Sequence, residues 1–61
     1  GKGFATEAVT AMSGWALGEL GLPEVLGIVA ADNKDSCRVL EKAGFVRIGE
    51  EDQILVYRRK R

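Results

Sequence analysis

Asn33-Lys34-Asp35-Ser36-Cys37-Arg38-Val39-Leu40-Glu41-Lys42-Ala43-Gly44-Phe45 decides the fold, because it holds a start, a body and a stop for one short helix. The first turn of a helix leaves backbone N–H groups without partners. Asn33, or Asp32 before it, offers a side-chain oxygen to one of them. Ser36, Val39, Leu40 and Ala43 recur at spacings of three and four, so they share one side of a helix predicted over 36–43. Gly44 stops it, and Phe45 can pack back onto its last turn.

Ahead of this helix, Glu24 to Ala31 reads as a strand. Val25 and Val29 face one way, and Leu26, Ile28 and Ala30 face the other. Apolar residues on both faces suggest a central strand covered on both sides. Gly27 marks a bulge or a close approach of another backbone. Gly21-Leu22-Pro23 stops an earlier helix, predicted from about Phe4 to Leu20. Its apolar stripe is Phe4, Ala5, Ala8, Val9, Met12, Ala16 and Leu20, with Trp15 on the flank. On the other side, Phe45 to Gly49 and Gln53 to Arg59 alternate with period two. The short polar stretch Glu50-Glu51-Asp52 joins them as an antiparallel hairpin. The order is helix, strand, helix, strand, strand: an α/β fold with a helix on each side of a small mixed sheet.

With 61 residues, one small domain is the ceiling, and such a domain buries only about 60% of its unfolded surface. Cys37 is the only cysteine and histidine is absent, so an internal disulfide is excluded and a zinc site is not expected. Apolar residues make up 46% and charged residues 30%, with zero formal net charge. That balance argues against disorder and against nucleic-acid binding through a broad positive field. No apolar run approaches the ~20 residues of a membrane span, and no signal peptide is visible. A cytoplasmic setting is expected. Charge is uneven: Lys2 against Glu7, Glu19 and Glu24 leaves the first half negative, while Arg58-Arg59-Lys60-Arg61 ends the chain. These last residues read as a solvated tail that keeps an edge strand soluble.

Gly1-Lys2-Gly3-Phe4-Ala5-Thr6 opens the first helix with two glycines. A helix N-terminus favours an anion, and glycines let a phosphate approach the main chain. Alone, this segment is an ordinary turn. Together with the second segment, about thirty residues on, it is far more specific. Gly-x-Gly-aromatic-Ala-Thr-Glu-Ala resembles the pyrophosphate loop and following helix of the GNAT acetyltransferases. Asn-x-x-Ser-x-x-Val-Leu-Glu-Lys-x-Gly-Phe resembles the second conserved block of that superfamily. The nearest branch is the one that acetylates protein N-termini and ribosomal proteins, and the resemblance covers essentially the whole chain.

This resemblance implies a partial GNAT fold, with residues 1–61 as its C-terminal part and the N-terminal half absent. It implies transfer of acetyl from acetyl-CoA to a primary amine, without a metal. The amides of Gly1, Lys2, Gly3, Phe4 and Ala5 would cradle the CoA pyrophosphate, with Thr6 adding its hydroxyl. Asn33 would bond the pantetheine arm, and Ser36 would sit near the CoA sulfur. Many relatives carry a tyrosine general acid where this chain has Leu40, so Ser36 becomes the candidate catalytic residue. The hairpin would wall the acceptor cleft. Glu50, Glu51 and Asp52 are available carboxylates, read as a solvated turn. Tyr57 reads as a packing residue, Cys37 as a helix residue without redox consequence, and Trp15 as core or interface. The alternative is a non-catalytic fragment acting as a structural or oligomerisation module. An open strand edge and an apolar face would drive association with a second copy or with a separate N-terminal half.

Overall fold

The computed structural model describes residues 2–61. Helix α1 spans Lys2–Gly18, strand β1 Glu24–Ala30, helix α2 Lys34–Lys42, strand β2 Val46–Glu51 and strand β3 Ile54–Lys60. The expected order of elements holds, with shifted ends. Helix α1 starts two residues before Phe4, so Gly3 lies within the helix rather than in a loop leading to it.

Helix α2 owes its ends to Asn33 and to Gly44-Phe45. Asn33 is the N-cap, and its Oδ1 accepts from the Ser36 N–H at 3.2 Å. At the other end the Phe45 N–H donates to the Leu40 carbonyl at 2.9 Å and the Gly44 N–H to the Glu41 carbonyl at 3.1 Å. Gly44 has φ +97°. These two bonds around a left-handed glycine form a Schellman cap, and they swing the chain straight into β2.

The hairpin turns at Asp52 and Gln53, with φ of 51° and 64°, between the paired residues Glu51 and Ile54. Two successive left-handed residues are the pattern of a two-residue type I′ turn, whose twist matches the flanking strands. Glu50 and Glu51 therefore belong to β2 and not to the connection expected of them. A register shift between Arg47 and Gly49 places an irregularity at Ile48.

The sheet order is β1-β3-β2, and both pairings are antiparallel. Strands β1 and β2 run in the same direction but never touch, because β3 lies between them. The sheet is thus antiparallel throughout rather than mixed, and the central strand is β3, not β1. This also revises the basic tail. Arg58, Arg59 and Lys60 lie in the middle strand and are no edge guard. Arg58 pairs with Glu24 at 3.7 Å, a half-exposed pair that contributes about 0–1 kcal/mol. Arg59 reaches α1, where its Nη1 donates to the Ser13 Oγ at 2.6 Å and the Thr10 carbonyl at 3.0 Å.

Both helices cover the same face of the sheet. Val29, Ala43, Phe45, Leu55 and Tyr57 form the core, and Val9 from α1 joins Val25, Cys37 and Leu40 against it. The alternate residues of β1 stay open: Leu26 is 54% exposed and Ile28 73%. The expectation of a helix on each side fails here, because apolar residues on both faces of β1 do not require both faces to be covered within these residues. Gly27 is no bulge, since it pairs in register with Tyr57. A Cβ there would sit 3.2 Å from both methyls of Leu40, so the glycine admits α2 close to the strand. Along α1, Leu17 and Ser13 are buried, whereas Phe4, Met12 and Trp15 are exposed. The inward face is Val9, Ser13 and Leu17, one small step around the helix from the predicted stripe. The Ser13 hydroxyl is tolerated inside because it donates to the Val9 carbonyl at 2.7 Å and accepts from Arg59.

Candidate functional site

Helix α1 delivers its first turn to the mouth of a groove between itself and α2. Gly3, Phe4 and Ala5 are exposed and Thr6 is half-buried. Gly1 lies outside the described residues, as does the Lys2 side chain. A Cβ built on Gly3 meets nothing within 4 Å, so this turn of main chain is open to a ligand. The first turn of any helix presents N–H groups with no intrahelical partner, and their summed partial charge favours an anion.

The groove consists of two adjoining clefts. One, of about 560 Å³, lies between Ala5 and Thr6 on α1 and Ser36, Arg38 and Lys42 on α2. The second, of about 500 Å³, shares Ala5 and Ser36 with the first and continues past Asn33 along β1 from Gly27 to Ala30. Ala5, Thr6, Asn33 and Ser36 were singled out from two segments about thirty residues apart. The fold brings them to one groove because β1 carries the chain back between the two helices. The Asn33 cap uses Oδ1 only, which leaves its amide donors uncommitted to the cap.

Leu40 lines the second cleft beside Gly27 and packs on the core, so it gives that wall an apolar side chain and no proton donor. The other candidates lie elsewhere. Glu50, Glu51 and Asp52 are exposed at the hairpin tip and line neither cleft. Tyr57 is 1% exposed and donates its hydroxyl to Glu41 Oε2 at 3.0 Å. Burial, followed by the Cys37 and Glu41 side chains, pushes the phenol up to about 12. It stays protonated and serves packing. Trp15 is exposed on α1 and is not a core residue. Among the described residues no group of three or more His, Cys, Asp or Glu could hold a metal ion, and no helix is long and apolar enough to cross a membrane. Arg38 and Lys42 were missed as lining residues. Their spacing of four on a helix carried the signal, since it places both on one face.

Comparison with known proteins gives the family and the fold. Residues 1–46 match the family described as acetyltransferase (GNAT) domain. The chain belongs to the GNAT acetyltransferase family. The fold of this GNAT chain is similar to the crystal structure of the acetyltransferase from Agrobacterium tumefaciens str. C58, at 32% sequence identity and a TM-score of 0.86. That similarity covers all of this chain and 38% of the Agrobacterium chain. No curated protein matches the sequence. The GNAT fold is one that supports acetyl transfer, and the family generally uses acetyl-CoA.

Proposed function

We propose that this GNAT chain is the C-terminal part of an N-acetyltransferase, of the branch that acts on protein N-termini and ribosomal proteins, transferring acetyl from acetyl-CoA to a primary amine. The observation that carries the reading is the groove that joins the open first turn of α1 to Asn33 and Ser36. The match of the whole chain to 38% of an acetyltransferase supports its place within a longer domain.

The residues fit the cosubstrate. The amides of the first turn, Lys2 to Ala5, and the Thr6 hydroxyl bind the pyrophosphate, together with the amide of Gly1, which lies outside the described residues; Gly3 keeps that approach free of side chain. The Asn33 amide, held by its cap, orients the pantetheine arm. Acetyl-CoA supplies an activated thioester. Ser36 is the hydroxyl that the chain offers at the groove for proton donation to the departing sulfur. A thiol of pKa ~8.5 needs only modest help to leave.

The test is calorimetric titration of acetyl-CoA and CoA into the chain and into Gly3→Glu. The substitution puts a carboxylate where the pyrophosphate binds. It leaves the helix intact, because the added Cβ meets open space, because Glu is a better helix former than Gly, and because the dipole favours a carboxylate in a first turn. We expect binding by the parent chain and at least a tenfold loss in Gly3→Glu. Equal affinity in the two would refute the cradle, and no binding to the parent chain would refute the reading for this chain.

A second feature supports association. Leu26, Ile28, Val46, Ile48 and Ile54 are all exposed, and β1 has one unpaired edge. Open edges and contiguous apolar patches recruit partners. In light scattering at micromolar concentration we expect a mass above that of the monomer. A monomer would count against it.

A further inference from the structure

The face of the sheet that the helices leave bare is apolar in the middle and charged at its two ends. Residues paired in register share a face, so β1 and β3 present Leu26 beside Arg58, Ile28 beside Val56 and Ala30 beside Ile54 on this side. Strand β2 adds Val46 beside Arg58 and Glu51 beside Ile54. The irregularity at Ile48 serves this surface. Alternation from Val46 puts Ile48 on the bare face, next to Gly49, which has no side chain to offer there. The extra residue then keeps Glu51 on the same face. Leu26, Ile28, Val46, Ile48 and Ile54 are between 40% and 73% exposed. The charges are sorted by end. Glu24 is engaged with Arg58, so Lys60 sets the net charge of one end, and Glu51 sets that of the other. Neither Lys60 nor Glu51 has an ion-pair partner among the described residues.

We propose that this face is a homodimer interface, on which a second copy packs sheet against sheet about a two-fold axis that reverses the strand direction. The sorting of charge selects both the partner and the orientation. An axis across the strands lays the Lys60 end of each copy over the Glu51 end of the other, and every contact is made twice. An axis along the strands would set Lys60 on Lys60 and Glu51 on Glu51, and like charges penalise that arrangement. Aligned sheet packing interdigitates the side chains of two inner faces, which Leu26, Ile28, Val46 and Val56 supply. Three strands of six or seven residues give a footprint of roughly 14 by 23 Å. That is at the small end for a specific interface, so the dimer is a weak one, with a micromolar dissociation constant. The proposal rests on the association reading above, names its face and occupant, and does not depend on acetyl-CoA binding.

The experiment is sedimentation equilibrium between about 10 and 500 µM, a range that brackets a weak interface. It compares the parent chain with Ile28→Lys, Lys60→Glu, Glu51→Lys and the double variant Lys60→Glu/Glu51→Lys. All three positions are exposed, and circular dichroism checks that each variant keeps its fold. We expect a monomer–dimer equilibrium for the parent chain and a monomer throughout for Ile28→Lys. Each single charge reversal should weaken the dimer about tenfold, because the two-fold axis repeats the like-charged contact. The double variant, with the charges exchanged, should return to within about twofold of the parent chain. A dimer that survives Ile28→Lys would overturn the face and leave association to the β1 edge. Single reversals without effect, or a double variant no tighter than the singles, would overturn the orientation. A mass that climbs past the dimer would overturn the closed two-fold arrangement. A monomeric parent chain would overturn the dimer and the association reading together. It would leave the bare face to residues of a longer domain and the acetyl-CoA reading untouched.

Discussion

Tyr57→Ala should remove half or more of the chain's stability at 25 °C. Tyr57 is the most buried large side chain, on the central strand, flanked in register by Gly27 of β1 and Arg47 of β2. Truncating a buried aromatic costs about 3–5 kcal/mol. At roughly 0.05–0.15 kcal/mol per residue, a domain of this length holds about 3–9 kcal/mol in all. Tyr57→Phe separates ring from hydroxyl. It keeps the packing and loses the bond to Glu41, at about 1 kcal/mol, since the exposed Glu41 can turn to water. The phenol also makes stability depend on pH. Its pKa rises from 10.0 to about 12 on folding, so its contribution is full below pH 10 and is lost as pH rises through about 12. Urea midpoints at pH 8 and pH 11 for the parent chain and Tyr57→Phe would check both points. An alkaline loss of the same size in both proteins would show that Tyr57 is not its source.

Phe45→Ala should cost nearly as much, about 3–4 kcal/mol, because Phe45 is 5% exposed and ends the cap that turns α2 into β2. At about 4–8 °C per kcal/mol for a domain of 60–100 residues, the melting temperature should fall by at least about 12 °C. Gly44→Ala is the informative comparison. A Cβ there has only ordinary contact, 3.6 Å to Arg59 Nε, so its cost of about 1–2 kcal/mol is backbone strain at positive φ. If Phe45→Ala shifted the melt no more than Gly44→Ala, the cap and not the buried ring would be what holds this corner.

Local chemistry was legible in the sequence; long-range choices were not. Asn33, Gly44 and Phe45 announced both ends of α2 because a cap is settled within six residues. The alternation of Val25 and Val29 against Leu26, Ile28 and Ala30 correctly divided β1 into two faces. That one of them stays bare depends on where both helices cross, which no short window contains. The place of β3 between β1 and β2 depends on pairs such as Glu24 with Lys60, separated by most of the chain. The turn at Asp52-Gln53 was hidden because neither residue is the glycine that such a turn favours, and three acidic residues in a row read as loop. On α1, the predicted stripe does not include Ser13, whose burial depends on Arg59 arriving from β3. Of the residues that line the groove, Thr6, Asn33 and Ser36 were singled out by their motifs. Arg38 and Lys42 were not, because a cation on a short helix reads as solvated until the opposite wall is known.

Strand β3, which follows both β1 and β2 in sequence, is the one in the middle of the sheet. Neither β1 nor β2 can hydrogen-bond to any strand of this sheet until residues 54–60 arrive between them. The β2–β3 hairpin, closed by two residues, can form on the microsecond scale. Strand β1 must then find it across a gap that includes all of α2, paying a larger loop-closure cost. The hairpin is thus the local step of this sheet and the β1–β3 pairing its long-range one, and β1, the floor of the groove between α1 and α2, belongs to the long-range part.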